Sequence, residues 1–186
     1  MEKVELKNRK ELAKYLNTIN AKVVVEVGVR EGYFSKYILD NSNVEKLFAV
    51  DPWEKNVELE HGAEEAYNTC KSLFNPYGDR AEMVKGFSPS AAEMFEDNSL
   101  DFVYIDGLHD YESVKADIEG WYPKLKIGGI ISGHDYHSGD WPGVVNSVNE
   151  FVESNGLELN VTGVEGIDYS DTCHDGAKAS WWTIKK

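Results

Sequence analysis

Two pairs of residues with acid–base and metal-binding side chains each follow a stretch of apolar sequence. Asp106 and His109 come after the first stretch, and His134 and Asp135 come shortly after the second. Carboxylates and imidazoles transfer protons near neutral pH, and both bind divalent cations. If the fold brings the two pairs together, the sequence predicts a catalytic site that contains Asp106 and His109.

The elements that carry these residues are predicted to be a strand, a helix and a second strand. Residues 102–105 are β-branched or aromatic, as in a buried strand, and residues 111–122 have apolar side chains at helical spacing. The pair Gly128-Gly129 predicts a turn into the second strand, at residues 130–131. Such a unit is a right-handed crossover, so both strands end at the same edge of a parallel sheet. Ligands bind outside that edge, where the acids and histidines should gather.

A glycine loop follows the first predicted strand, at residues 22–27. Its pattern, E-x-G-x-x-x-G, comprises Glu26, Gly28 and Gly32 and differs from the G-x-G-x-x-G of dinucleotide-binding folds. A carboxylate at the mouth of such a loop would repel a pyrophosphate and attract a sulfonium or an ammonium group. The loop therefore favours a nucleoside that carries positive charge, although Glu26 could instead pair with Arg30 or with a lysine.

Asp51 ends the second predicted strand, residues 47–50, and a short third strand is predicted at residues 81–84. A carboxylate in the position of Asp51 is placed to accept hydrogen bonds from ribose hydroxyls. Residues 54–81 between these strands predict a helix with long flanks. An insertion of this kind beside a ligand-binding edge is either a lid or an ordinary connecting helix.

The alternation of strands and helices predicts an α/β fold with seven strands, in a single domain that spans residues 1–186. Residues 6–19, in the N-terminal segment 1–20, have the apolar spacing of an amphipathic helix that packs on the domain. The last two strands are predicted at residues 157–161 and 181–184, joined by a polar loop.

The formal net charge of −14, from 19 basic and 33 acidic residues, disfavours nucleic acid and anionic membranes as partners. The apolar runs are shorter than the ~20 residues of a membrane span, and the charged N-terminus lacks the apolar segment of a signal peptide. We therefore expect a cytoplasmic protein that acts on a small-molecule substrate, and a homodimer is compatible with this expectation. The two cysteines, Cys70 and Cys173, are expected to be reduced.

The order of these motifs resembles that of the class I S-adenosylmethionine-dependent methyltransferases. The sequence is most similar to a small family related to macrolide and aminocoumarin sugar O-methyltransferases, and more distantly to catechol O-methyltransferase, over roughly residues 20 to 150. The resemblance implies a Rossmann-like three-layer sandwich with a seven-stranded, mostly parallel sheet whose last strand is antiparallel. It also implies S-adenosylmethionine as the cofactor.

The same resemblance assigns residues to the cofactor. Glu26 and Gly28 would contact its methionine end, Asp51 its ribose, and Phe87 with Ser88 its adenine. The implied cofactor-binding residues are Glu26, Gly28, Arg30, Gly32, Asp51, Pro52, Trp53, Phe87, Ser88 and Asp106.

A metal site is a further expectation. Metal-dependent relatives carry an Asp-Asp or Asp-Asn pair after the fifth strand, where this sequence has His134-Asp135. Two acids at one edge, Asp106 and Asp135, would repel each other unless a cation lay between them. We expect a divalent cation (Mg²⁺, Mn²⁺ or Zn²⁺) on these two acids, with His134 either as a third ligand or as a hydrogen-bonding residue only. An imidazole ligand would favour Mn²⁺ or Zn²⁺ over Mg²⁺.

His109 lies three residues beyond Asp106, where relatives resembling catechol O-methyltransferase carry a basic residue over the acceptor. The resemblance thus implies that His109 is the general base in O-methylation of a sugar or another polyhydroxylated small molecule, and an imidazole with its ordinary pKa of ~6.5 suits that role. The alternative is a loop histidine bonded to Glu112 or to a backbone carbonyl.

Two other functions remain open. The adjacent residues His109-Asp110 and His134-Asp135 also resemble the paired ligands of helical metal-dependent phosphohydrolases, although His134 follows a predicted strand. A non-catalytic protein that binds a nucleoside cofactor is the other alternative, because the sequence does not identify an acceptor.

Overall fold

A computed structural model of the chain has one central sheet with helices on both faces. The structure describes residues 4–54, 62–162 and 179–186. The strands are β1 (Val23–Val27), β2 (Lys46–Asp51), β3 (Ala81–Lys85), β4 (Leu100–Ile105), β5 (Leu125–Gly133), β6 (Asn160–Val161) and β7 (Trp181–Ile184). The helices are α1 (Arg9–Tyr15), α2 (Tyr33–Asn41), α3 (Ala63–Phe74), α4 (Ser88–Ala92), α5 (Tyr111–Trp121) and α6 (Pro142–Ser154).

The strand order in the sheet is β3-β2-β1-β4-β5-β7-β6. The pairings from β3 across to β5 are all parallel, whereas β7 is antiparallel to both of its neighbours, β5 and β6. The predicted Rossmann-like α/β sandwich with an antiparallel last strand is therefore confirmed. The crossover from β4 through α5 to β5 brings the ends of these two strands to one edge, next to the ends of β1 and β2.

Each face of the sheet packs against its own helices, as the side chains of β4 illustrate. Phe102 and Tyr104 belong to the apolar cluster that contains residues of α1, α2 and α3. Val103 and Ile105 belong to the opposite cluster, which contains residues of α4, α5 and α6. A parallel strand covered on both faces is apolar at successive positions, which explains the continuous run in the sequence.

The predicted turn at Gly128-Gly129 is wrong, because both glycines lie inside β5. Beside them the pairing of β4 with β5 shifts its register, as at a β-bulge. Gly128 has a φ of +82°, and a Cβ atom on Gly129 would lie 2.9 Å from the carbonyl oxygen of Lys126. The two glycines therefore permit an irregularity within the strand and do not end it.

Two other element boundaries differ from the prediction. The N-terminal helix was predicted over residues 6–19 but spans only α1, which ends at Tyr15. The strand predicted at residues 157–161 consists of the two residues of β6. Short local patterns define such ends poorly, because the last turn of a helix and an edge strand depend on tertiary contacts.

Some sequence predictions fall outside the described residues. Residues 55–61 belong to the predicted insertion at 54–81, so only its later part, α3 and the 3-10 helix Asn75–Arg80, can be compared, and the lid remains a prediction. Cys173 also lies outside the described residues, whereas Cys70 is buried. In the described part of the chain, no helix has both the length and the hydropathy needed to cross a membrane.

Asp101 of β4 anchors the entry of β1 into the sheet. Its Oδ2 atom accepts hydrogen bonds from the backbone N–H groups of Lys22 and Val23, both at 2.8 Å, and its Oδ1 atom accepts one from Lys126 Nζ at 2.6 Å. Burial alone would raise the pKa of Asp101, but these hydrogen bonds outweigh burial and lower the pKa. The ionised carboxylate thus fixes where β1 begins beside β4.

We expect Asp101→Ala to lower the free energy of unfolding by about 1–3 kcal/mol, because two backbone N–H groups and an ammonium group lose their acceptor. A carboxyl pKa that is lowered by folding stabilises the protein above the ordinary aspartate pKa, and this contribution is lost as the pH falls through the folded-state pKa. The difference between variant and wild type should therefore shrink in acid. Urea unfolding at a series of pH values measures it.

Asp97→Ala is the control for this experiment, because Asp97 forms an exposed ion pair with Lys124. Exposed pairs of this kind contribute between about 0 and 1 kcal/mol. Equal losses in the two variants would contradict the anchoring role of Asp101.

Candidate active site

The ends of β1, β2 and β4 meet at Gly28. The Gly28 N–H donates to the carbonyl oxygen of Val50 at 2.9 Å, and the Asp106 N–H donates to the carbonyl oxygen of Val27 at 2.8 Å. Gly28 has a φ of +81°, and a Cβ atom there would lie 2.1 Å from the carbonyl oxygen of Asp106. Only glycine allows this approach, so Gly28 is needed to bring the loop after β1 against the backbone that follows β4.

Asp51 lies at the end of β2, 5% exposed, and holds the glycine loop from below. Its two oxygens accept the backbone N–H groups of Arg30 at 2.9 Å and of Trp53 at 2.7 Å. The Trp53 indole N–H in turn donates to the carbonyl oxygen of Arg30 at 2.8 Å. Burial raises the pKa of Asp51, and the two backbone hydrogen bonds oppose that rise.

The chemistry of this carboxylate fits the ribose of the implied cofactor. A carboxylate oxygen can accept two hydrogen bonds, and the backbone N–H groups of Arg30 and Trp53 use one on each oxygen of Asp51. Two hydroxyl donors on adjacent ribose carbons match the remaining acceptor capacity. The acceptor oxygens of Asp51 at the end of β2 therefore fit the ribose of S-adenosylmethionine, the cofactor that the resemblance implies.

Glu26 differs from the sequence expectation in its surroundings. It is 2% exposed, so it lies beneath the glycine loop and not at its mouth, and the Ser35 hydroxyl of α2 donates a hydrogen bond to it. The alternative pairing with Arg30 is also not formed, because Arg30 Nε lies 3.3 Å from Glu31 Oε1. Burial raises the pKa of Glu26 to about 8. The raised pKa opposes the negative charge on which the attraction of a sulfonium depends, and the contact of Glu26 with the cofactor remains a prediction.

Arg9 of α1 is a residue of the site that the sequence analysis missed. Its Nη1 atom lies 3.3 Å from Asp106 Oδ2, and its guanidinium lies over the Phe34 ring, 4.5 Å from the ring centroid. The predicted packing role of this segment holds for Leu12 of α1 and for Leu16, which directly follows α1, since both are fully buried. Arg9 lies three residues before Leu12, on the same helical stripe, and a charged residue on an apolar stripe was the available signal.

The two pairs of acidic and histidine residues do gather at the ends of β4 and β5. His109 Nε2 lies 2.8 Å from Asp135 Oδ2, and His134 Nδ1 lies 3.1 Å from the same oxygen. His134 Nδ1 is also 3.8 Å from Asp106 Oδ1. Burial alone would raise the pKa of Asp135, but the hydrogen bonds with the two imidazoles outweigh it and hold the pKa well below its usual range. Asp135 is therefore ionised, and it links both histidines.

Local packing fixes the His109 ring in this arrangement. The ring stacks on Trp141, with 4.3 Å between the ring centroids and an interplanar angle of 27°. A Cβ atom on Gly143, in the first turn of α6, would lie 2.6 Å from the carbonyl oxygen of His109. Asp135 has a φ of +57°, an uncommon left-handed conformation that directs its side chain back toward His109. The described partner of His109 Nε2 is thus Asp135.

The residues assigned to adenine lie at the start of α4. Phe87 is 61% exposed, whereas the Ser88 hydroxyl accepts a hydrogen bond from the Trp121 indole N–H at 2.8 Å. Asp117 of α5, which sequence analysis did not single out, is hydrogen-bonded to Ser88, and burial raises its pKa to about 6. These contacts tie the loop after β3 to α5, and the adenine role of Phe87 and Ser88 remains a prediction.

Three residues of the cluster have the donor chemistry and spacing of a metal site. One ligand atom from each of Asp106, His134 and Asp135 lies within 4.8 Å of the others, the group that the sequence predicted. Two carboxylates and an imidazole suit Mn²⁺ or Zn²⁺ better than Mg²⁺. Both His-Asp pairs lie in loops that follow strands, unlike the helical ligands of the phosphohydrolase alternative.

Comparison with protein families gives a match to the family described as "Methyltransferase domain" over residues 25–136. Uncharacterized protein R132 of Acanthamoeba polyphaga mimivirus is 30% identical over 139 residues, which cover 69% of this chain and 58% of that protein. Uncharacterized protein y4gI of Sinorhizobium fredii is 27% identical over 124 residues, which cover 64% of this chain and 14% of that protein. The chain thus spans less than two thirds of the length of both relatives.

Several solved structures share the fold. Cofactor-bound Rv0187 from MTB has a TM-score of 0.70 at 16% identity and covers 94% of this chain and 78% of its own. The O-methyltransferase from Bacillus cereus in complex with SAH has a TM-score of 0.66 at 17% identity, covering 95% and 80%. An rRNA methylase from Streptococcus thermophilus has a TM-score of 0.67 at 13% identity, covering 98% and 99%. At these identities the likeness shows the fold alone.

Proposed function

The chain belongs to the class I S-adenosylmethionine-dependent methyltransferases, in the methyltransferase-domain family, and we propose that it methylates a hydroxyl group of a small molecule. One observation carries the proposal. The glycine loop with Asp51 and the His109–Asp135 pair lie at the same edge of the sheet and are joined through the contact of Gly28 with Asp106. The proposed site for the methyl donor and a group that can accept a proton would thus be adjacent.

The first half of this edge would hold the cofactor. Asp51 would bind the ribose hydroxyls, and the glycine loop would cover the end of β1 where the methionine part is expected. Bound S-adenosylmethionine supplies a methyl group on a positively charged sulfur, so the donor is already activated. The acids at this edge, Asp51, Asp106 and Asp135, are more compatible with a sulfonium than with the pyrophosphate of a dinucleotide.

The second half would act on the acceptor. A hydroxyl becomes a competent nucleophile only as its proton leaves, and we assign that proton to His109. Because Asp135 is ionised, the His109 nitrogen that faces it, Nε2, is assigned the hydrogen, and Nδ1 is then the basic nitrogen. Nδ1 is buried beside Trp141 in the structure, so the transfer requires the ring to leave its stacked position on Trp141 and turn toward the acceptor.

The carboxylates beside His109 would also hold a divalent cation. Asp106, His134 and Asp135 are the proposed ligands, and such an ion would orient the acceptor oxygen and favour its ionised form. The residues fit the ion by donor type and by spacing. His109 would then contact a metal ligand, Asp135, from outside the metal site, as hydrogen-bonding partners of metal ligands commonly do.

The net charge supports a small acceptor. A chain with 33 acidic and 19 basic residues repels phosphate backbones, which opposes a nucleic-acid substrate although an rRNA methylase shares the fold. A neutral or cationic molecule with several hydroxyl groups, such as a sugar, is the class that we propose.

We expect the protein to bind S-adenosylmethionine in calorimetric titration and Asp51→Ala to weaken binding by about 10- to 100-fold, the equivalent of ~1–3 kcal/mol. Asp51→Asn keeps one acceptor oxygen and therefore one of the two contacts with the loop, so it should weaken binding less than Asp51→Ala. Asp79→Ala, a substitution of an exposed acid in the 3-10 helix before β3, is the control. No heat with S-adenosylmethionine or S-adenosylhomocysteine, together with heat on adding NAD, would replace the proposal with a dehydrogenase.

We expect Mn²⁺ to raise the unfolding temperature of EDTA-treated protein, because an ion that binds only the folded state stabilises it. Mg²⁺ should have a smaller effect, and Asp106→Asn should abolish the shift. Asp140→Asn changes a nearby acid with a 60% exposed side chain and should leave the shift intact. If neither EDTA nor Mn²⁺ alters the unfolding temperature of the wild type, the acids are hydrogen-bonding residues and the metal site is wrong.

We expect His109→Ala to reduce methyl transfer to a hydroxylated acceptor by ~10² to 10⁴-fold while the affinity for S-adenosylmethionine is unchanged. His109→Gln can still donate a hydrogen bond to Asp135 but cannot accept a proton at neutral pH, so it should be as inactive as His109→Ala. His137→Ala, at a half-exposed histidine in the same loop as Trp141, is the control. Recovery of turnover in His109→Gln would show that His109 only positions Asp135.

A further inference from the structure

Arg9 and Asp106 place a positive and a negative group side by side at the end of β4. The guanidinium Nη1 and the carboxylate Oδ2 are 3.3 Å apart, and the two side chains are 11% and 20% exposed. The two residues are 97 positions apart in the chain, so α1 contributes to the site across the fold. The pair is largely shielded from solvent, and charge interactions are stronger in such an environment than in water.

Arg9 and Asp106 lie on the face of the sheet that also carries Glu26 of β1. Glu26 pairs in register with Tyr104, and Asp106 follows Tyr104 by two residues, so the three side chains lie on the same face of the sheet. Arg9 lies on this face, over Phe34 at the start of α2 and within hydrogen-bonding reach of Tyr104. This is the face of the glycine loop at which the methionine end of the cofactor is expected.

The methionine end is an amino acid and carries both an ammonium and a carboxylate group. A guanidinium beside a carboxylate is its electrostatic complement, because one ion pair within the protein can be exchanged for two between protein and ligand. A guanidinium is planar, keeps its charge at all relevant pH values and matches a carboxylate with two parallel N–H groups. Asp106 would take the ammonium group in the same exchange.

We propose that Arg9 binds the carboxylate of the amino-acid end of S-adenosylmethionine, so that α1 forms one wall of the cofactor site. The inference rests on the proposed function, since it concerns the cofactor named there. It goes beyond that function because it assigns the recognition of the carboxylate to a helix outside the family match, which begins at residue 25. Arg9 is then a binding residue. It pairs with Asp106 when the ligand is absent and with the ligand carboxylate when the ligand is bound.

The test compares two ligands that differ only in the carboxylate. S-adenosylmethionine and decarboxylated S-adenosylmethionine are titrated by calorimetry into wild-type protein, Arg9→Met and Arg9→Lys. The Met side chain keeps the apolar contact with Phe34, and Lys keeps the charge but not the planar fork. Lys14→Met removes an exposed positive charge from the same helix and is the matched control. Thermal unfolding of each variant monitors the fold.

The wild type should bind S-adenosylmethionine about 10- to 100-fold more tightly than the decarboxylated ligand, the range of a charge-assisted hydrogen bond. Arg9→Met should bind the two ligands equally, by losing affinity for S-adenosylmethionine alone, and Arg9→Lys should discriminate partially. Lys14→Met should behave as the wild type.

Three results would overturn the assignment. Equal affinities in the wild type, or an equal loss for both ligands in Arg9→Met, would limit Arg9 to a structural partner of Asp106. Undiminished discrimination in Arg9→Lys would contradict recognition of the carboxylate by the planar guanidinium. If Arg9→Met does not fold, an equal loss of affinity for both ligands in Arg9→Lys would limit Arg9 to a structural partner of Asp106. Binding of neither ligand by the wild type would instead remove the proposed function itself.

Discussion

Four carboxyl groups lie at one edge of this sheet, and the structure depends on the contacts that compensate for their burial. Glu26, Asp51 and Asp135 are 2%, 5% and 6% exposed, and Asp106 lies beside them. Burial of an ionised carboxylate is costly unless it is paired or hydrogen-bonded. Each of the four is stabilised in a different way, and the differences define what each can do.

Asp51 accepts two backbone N–H groups, which oppose the rise in its pKa caused by burial, and it keeps acceptor capacity for neutral hydroxyl donors. Asp135 is held by two imidazoles, so its charge is coupled to groups that bind protons and metals. Asp106 is paired with a guanidinium from α1. Glu26 has a hydroxyl partner, and its raised pKa makes the neutral acid the stable form over much of the physiological range. The edge is thus divided into a hydrogen-bonding half at β2 and a proton- and cation-binding half at β5.

The sheet and most of the cluster could be predicted because they follow from topology. Once the strand–helix–strand unit is recognised, its handedness brings Asp106 and Asp135 to one edge without further information. The pair Gly128-Gly129 was misassigned because a turn and a bulge use glycine for the same conformational reason, and only the register of β4 against β5 distinguishes them.

The missed residues depend on contacts between distant parts of the chain. Arg9 meets Asp106 across 97 residues, and Asp117 of α5 meets Ser88 at the start of α4. Neither contact has a spacing that a local pattern could detect. What the sequence does contain is a charge on the buried stripe of a helix, in Arg9 and again in Asp117, which is 5% exposed. A buried charge of this kind requires a partner, and the partners of these two residues are Asp106 and Ser88.

Asp106 is assigned to the cofactor, to the metal and to catalysis, and its geometry makes these roles compatible. Its two oxygens face different neighbours: Oδ2 lies toward Arg9, and Oδ1 lies toward His134. The Oδ2 side is continuous with Gly28 and the expected methionine end, whereas the Oδ1 side belongs to the group that could hold a cation. One carboxylate can therefore contact an ammonium group on one side and a divalent cation on the other. Because Gly28 packs against the backbone of Asp106, this carboxylate has a fixed position between the glycine loop and the histidines.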